Sequence, residues 1–468
     1  MNRREFLIAS SACVSSFVQS GCGGEGNTGE EGSVFPTQPV SSASVIVIGA
    51  GMAGLTAAQK LRAAGKSVIV LEARSRVGGR LFTSSKWADV KLDLGATWIH
   101  GAGDKNPIAK LAREIGARLT TTSVENGEIF DTNGKQLDTE ASAQIESLQA
   151  SIAAVLRDAQ RANTDVSVQD AVRTGLRYAT QSVTDRSRID FLVNTRIEHE
   201  YSGAASRLSS FWFDSAESFE GAEAVFLDGY QVLVEHLAQG LDVHLGQVVK
   251  SISYSRDAEV KVTTNQGTFI AQRVVVTLPL GVLQSGSVNF SPALPTAKQT
   301  AITKMGMGVL NKCYLRFPRA FWNTKVDWIN YVPDVNKYGQ WAEWVSLARP
   351  TGQPILLGFN AAAFGLEIES WSDQKIVDSA MVALRTMYGK DIPDPTDSII
   401  TRWGSDPFAM GSYSCDILGA TPEMRNDLAR HVDNRLFFAG EATDSQHYQT
   451  VHGAYLSGMR AAKEILAL

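Results

Sequence analysis

Val45-Ile46-Val47-Ile48-Gly49-Ala50-Gly51-Met52-Ala53-Gly54-Leu55 decides the fold. Four β-branched residues in succession make a short apolar run suited to a strand buried on both faces. Gly49, Gly51 and Gly54 follow in GxGxxG spacing, and residues 55–64 are rich in alanine and leucine, the composition of helix. Gly65 ends that helix, and Val68-Ile69-Val70-Leu71 is a second strand with Glu72 at its end, about 20 residues past the glycines. Each piece has a physical task. The first glycine makes the tight turn, the second lets backbone amides approach a pyrophosphate at a helix N-terminus, and the third lets the helix pack close to the sheet. The carboxylate accepts hydrogen bonds from a ribose diol. A lone GxGxxG is a weak signal; strand, turn, helix, strand and acid in register make a dinucleotide fingerprint.

Composition narrows the class. A chain of 468 residues exceeds one ordinary core, so two domains are expected. Hydrophobic content of 44%, charged content of 20% and a net charge of −5 describe a globular protein with no basic patch and no general affinity for nucleic acid. Of four cysteines, Cys13 and Cys22 fall in the leader, leaving Cys313 and Cys415, too few for a disulfide framework. The seven histidines show no metal-ligand spacing, so no metal site is expected. No feature specifies an oligomeric state.

At the N-terminus, Arg3-Arg4-Glu5-Phe6-Leu7 precedes a short apolar run ending near Val18. The run is shorter than the ~20 residues of a membrane span and reads as a signal segment of the twin-arginine export type, which implies a periplasmic or outer-surface location. Ser20-Gly21-Cys22 resembles a bacterial lipoprotein cleavage box, although Gln19 stands where leucine is usual. Lipid anchoring at Cys22 and ordinary cleavage are both open. Residues 23–44 are rich in Gly, Ser, Thr and Pro and read as a tether. The leader and linker thus occupy residues 1–41.

Downstream, Arg74-Ser75-Arg76-Val77-Gly78-Gly79-Arg80 adds a second glycine pair flanked by guanidinium forks. More backbone donors and cations suit a longer, permanently bound dinucleotide such as FAD better than a diffusing NAD. Leu92-Asp93-Leu94-Gly95-Ala96-Thr97-Trp98-Ile99-His100-Gly101 then delivers two small residues that a flat ring system could approach. On the three motifs GAGMAGL, LEARSRVGGR and LDLGATWIHG, the sequence resembles the flavin-dependent amine oxidase family, its polyamine-oxidising branch above all.

The resemblance implies an α/β fold, a Rossmann-type FAD-binding domain with an inserted α+β substrate-binding domain. The FAD domain would comprise residues 42–120, 221–300 and 400–468, and the substrate domain residues 121–220 and 301–399. It assigns to FAD Gly49, Gly51, Ala53, Gly54, Glu72, Ala73, Arg74, Gly79, Arg80, Gly95, Ala96, Thr97 and Trp98. Later in the chain it adds Val249, Trp403, Gly440, Glu441, Thr450 and Val451. The last helix, opened by Thr450-Val451-His452-Gly453, would place its N-terminal amides beside the reduced flavin. No cysteine occurs in that segment, so FAD is expected to be held without a covalent bond. No apolar tail follows Leu468, unlike the membrane-anchored monoamine oxidases.

For substrate, the resemblance points to His100, to Glu198 and Glu200 within Arg196-Ile197-Glu198-His199-Glu200-Tyr201, and to Tyr413 as one wall of an aromatic cage. Thr450 occupies the place of a second cage tyrosine. Asp214, Glu217, Glu220 and Glu223 read as a solvated acidic face. Lys304, in Ile302-Thr303-Lys304-Met305-Gly306, resembles the lysine these oxidases hold near the flavin, where desolvation would lower its pKa and let it order water or assist proton removal. The implied reaction is oxidation of a polyamine or related amine by O2. The alternative of an L-amino-acid oxidase needs an arginine for the substrate carboxylate, which Arg196 or Arg207 could supply. A demethylase-like protein or a flavin-binding protein without turnover ranks behind both.

Overall fold

A computed structural model describes residues 40–468; the leader motifs, Cys22 included, lie outside them. The first strand spans Val40–Ile48, beginning two residues before the expected start of the fold. It pairs in parallel with Val68–Leu71 on one side and Thr268–Val276 on the other, and Val45 to Ile48 are at most 2% exposed, as a central parallel strand requires. Leu436–Phe438 joins Thr268–Val276, also in parallel, so strands from both ends of the chain share one eight-stranded sheet.

Two further strands, Asp242–His244 and Val249–Ser253, lie close in sequence but at different places in this sheet. Asp242–His244 pairs with Val68–Leu71 at one edge, and Val249–Ser253 lies across the sheet beside Val260–Thr264. Gly246, with φ +71°, makes the turn between them. The crossing passes over the carboxyl ends of the central strands, where the Gly246 and Gln247 amides donate to the Arg74 and Glu72 carbonyls. Carboxyl ends of an open parallel sheet are where such folds bind ligands.

A second, six-stranded sheet has the order Asp397–Ile400, Leu310–Arg316, Ile355–Ala361, Glu343–Ser346, Trp328–Tyr331, Gly127–Phe130. Helices Thr139–Gln160, Val168–Gly175 and Val183–Val193 accompany it. Helix Pro107–Glu114 is short: Asn106 caps it, Gly116 at φ +68° ends it, and Leu119–Thr122 is a strand. Cys313 and Cys415 are buried free thiols. No helix among the described residues is long and apolar enough to cross a membrane.

Candidate functional site

The glycine turn is built as its sequence demands. Gly49 takes φ +102°, and a Cβ at Gly54 would run into the Gly49 carbonyl oxygen, so Gly54 serves the close packing of helix on strand and does not itself line the cavity. Helix Met52–Ala63 has Gly51 as its N-cap with no side-chain cap, leaving its first amides for a ligand. Glu72, 5% exposed, accepts from the Ala50 amide at 2.8 Å through Oε2 and from the Arg74 amide at 2.8 Å through Oε1. Its carboxylate is thereby fixed beside the turn.

One cavity of about 470 Å³ runs from this turn to the second sheet. Every other residue assigned to the dinucleotide lines it: Gly49, Gly51, Ala53, Glu72, Ala73, Arg74, Gly79, Arg80, Gly95, Ala96, Thr97, Trp98, Val249, Trp403, Gly440, Glu441, Thr450 and Val451. Arg74 forms a two-pronged pair with Asp406 at 2.9 and 2.6 Å, tying the loop that carries Trp403 to the first domain. Arg80 pairs with Glu441 at 2.9 Å. Burial alone would raise the Glu441 carboxyl, but Arg80 and the hydroxyl of Ser414 outweigh it and hold the group below its usual range. Gln449, with φ +67° and both ends of its buried amide without a hydrogen-bond partner, lines the same cavity just before the last helix. Orphaned amide, uncapped helix start and glycine cradle all fit an elongated polar cofactor such as FAD.

Lys304 does not reach this cavity. It is the last residue of helix Thr296–Lys304 and is exposed, because that helix packs its apolar side on residues 422–429 and turns its polar side to solvent. Lys312, eight positions on in strand Leu310–Arg316, takes the place expected for it. Its Nζ donates to the carbonyls of Asp93 at 2.7 Å and Gly95 at 2.6 Å and to the Thr97 hydroxyl, beside the small residues that admit a flat ring. Burial pushes its ammonium down from the usual lysine value, and the nearby Asp93 charge offsets this only in part. The signal was a lysine within an otherwise buried strand: Lys312 shares a strand face with Tyr314, whose hydroxyl donates to the same Asp93 carbonyl at 2.7 Å.

The acidic segment also divides. Asn194–Glu198 is a π-helical stretch continuing into His199–Tyr201, and residues two apart on it point to opposite sides. Glu200 and His199 line the cavity that holds the dinucleotide cradle; Glu198 does not, facing a separate one of about 500 Å³. There Glu198 accepts from Asn194 Nδ2 at 2.7 Å and from the Tyr338 hydroxyl, and burial pushes its carboxyl up to about 7. Tyr413 lines the cavity of the dinucleotide cradle and donates to the His199 carbonyl at 2.8 Å. His100 lies at the same cavity with Nδ1 2.6 Å from Glu223 Oε2. Glu223 is therefore no plain solvated acid but the group that orients His100. Glu343, His199, Trp328 and Phe359 complete this end and were not expected from sequence. Neither Arg196 nor Arg207 lines the cavity, so it has no carboxylate clamp from those residues.

The chain belongs to the flavin containing amine oxidoreductase family, whose pattern it matches over residues 52–466. It is 36% identical over 445 residues to polyamine oxidase 2 of Arabidopsis thaliana, covering 90% of this chain and 88% of that one. It is 33% identical over 445 residues to lysine-specific histone demethylase 2 of Homo sapiens, covering 91% of this chain and 53% of the other. In fold it is similar to wild-type putrescine oxidase bound to putrescine, with TM-score 0.75, 20% identity, and coverage of 92% of this chain and 100% of that one. The protein is thus an FAD-dependent oxidoreductase acting on amines.

Proposed function

We propose that the protein is an exported polyamine oxidase. The observation that carries the reading is the single cavity joining the dinucleotide cradle to Lys312 and then to Glu200, His100 and Tyr413. The chemistry FAD supplies when bound is acceptance of a hydride from the carbon alpha to the amine and delivery of both electrons to O2, leaving an imine for water to hydrolyse and yielding peroxide. Lys312, desolvated against Gly95, holds a water or takes a proton near that ring. Glu200 draws a cationic amine inward, its attraction strengthened where the walls exclude water. His100, held by Glu223, and the ring of Tyr413 guide the chain.

Cys313 and Cys415 do not line the cavity, in keeping with FAD held without a covalent bond. Arg3, Arg4 and the apolar run after them support export by the twin-arginine route, with Cys22 as a candidate lipid attachment point. A peroxide assay of the holoenzyme in air, with spermidine or spermine as substrate, tests the reading. Stoichiometric peroxide and aldehyde support it; full FAD occupancy without peroxide from any amine overturns it.

A further inference from the structure

We propose that His199, oriented by Glu343, accepts a hydrogen bond from the non-reacting ammonium group of the substrate, and so selects amines carrying a second positive charge over monoamines. The inference rests on the amine-oxidase reading of the same cavity and names a group that discriminates among its substrates.

His199 Nδ1 lies 2.9 Å from Glu343 Oε2, and Arg196 Nη1 lies 3.5 Å from Glu343 Oε1. A carboxylate beside a guanidinium can only accept, so the proton of a neutral His199 ring sits on Nδ1 and Nε2 presents a lone pair. That atom is buried without a hydrogen-bond partner, on a side chain 4% exposed that lines the cavity. A buried acceptor left without a donor destabilises the site, and a ligand N–H removes the deficit. An ammonium offers donors alone, which suits this atom. The Glu200 carboxylate lines the same cavity and adds the negative charge an imidazole does not carry, and Phe359, its ring 6.0 Å from that of His199, gives an aromatic wall.

The lysine and the histidine belong to different parts of the cavity wall. Lys312 is paired with Phe359, and Phe359 with Glu343, so the three form one row across adjacent strands. At ~4.8 Å per strand, the backbones of Lys312 and Glu343 stand about 10 Å apart, so the lysine and the carboxylate that orients His199 come to the cavity from separate strands.

The test uses FAD-loaded wild type and the variants His199→Phe, which keeps a ring without an acceptor, and His199→Gln, which restores a polar atom near Nε2. Anaerobic flavin bleaching is titrated with spermidine and with an isosteric secondary monoamine whose terminal ammonium groups are replaced by methyl. For His199→Phe, the half-saturating spermidine concentration is expected to rise about 10- to 100-fold, the value of a hydrogen bond to a charged group. The isostere should change little, the limiting bleaching rate should hold, and His199→Gln should recover part of the loss. Equal weakening for both compounds, or none for spermidine, overturns the proposal while leaving the amine-oxidase reading intact. Wild type bleached by neither compound nor by any other amine overturns both. Should His199→Phe fail to retain FAD, His199→Met carries the same expectation.

Discussion

Lys312 and Glu343 stand in one row of the substrate sheet, two strands apart, with Phe359 between them. Lys312 reaches the backbone of Gly95, and Glu343 holds the imidazole of His199. Because opposed residues on neighbouring strands share a face, the sheet itself sets the spacing of these two side chains where they enter the cavity.

Replacing Lys312 by Met should leave FAD bound but slow anaerobic bleaching by a good amine substrate about 100-fold or more, the usual weight of a positioned proton-transfer group. Lys304→Met should fall within about twofold of wild type, since a surface substitution touches no part of the cavity. Stopped-flow absorbance of both variants checks the pair; equal effects would remove Lys312 from the reaction.

Glu198 supplies a pH signature. Burial raises its folded-state value from 4.5 to about 7, so the folded protein binds more protons than the unfolded chain between those limits, and stability attributable to this group falls as pH rises through them. Glu198→Gln removes the dependence. Its stability relative to wild type should improve from pH 4.5 to pH 7.5 by on the order of 3 kcal/mol, measured by denaturant unfolding of the FAD-loaded proteins. A difference that stays flat across that range would show that the carboxyl titrates normally.

Asp406→Ala should loosen the cofactor without touching the substrate end. The two-pronged, partly buried pair with Arg74 fixes the loop over the cavity, and its loss is expected to raise the FAD dissociation constant about tenfold, read as flavin fluorescence released on dialysis. Unchanged retention would make the pair a surface contact only.

How much of this was legible in the sequence differs between the two domains. The dinucleotide half rests on local rules: Gly54 is small because the Gly49 carbonyl lies against it, and Glu72 ends its strand beside the turn. Such constraints leave residues at fixed spacing. The substrate half depends on which face a side chain takes. Lys304 and Lys312 flank the same glycine-containing turn, and only the pairing of Leu310–Arg316 with Ile355–Ala361 puts the second one inside. Glu198 and Glu200 are two positions apart, which on a helix turns them to opposite sides, and only packing decides which of the two faces the cavity. Glu343 and His199 meet from positions 144 residues apart, which local pattern cannot connect.

For the leader, lysine at both Arg3 and Arg4 should hold the flavoprotein inside a bacterial host, and Cys22→Ser should release any membrane-bound fraction into the soluble one. Cell fractionation followed by FAD absorbance reads both. Export unaffected by the paired substitution would rule out the twin-arginine route.

The most direct measurement is anaerobic bleaching of the purified flavoprotein by spermidine, spermine, simple monoamines and L-amino acids in parallel. Fast bleaching by the polyamines, slower bleaching by monoamines and none by amino acids is the predicted result. Bleaching by L-amino acids alone would contradict it, since neither Arg196 nor Arg207 lines the cavity to receive their carboxylate.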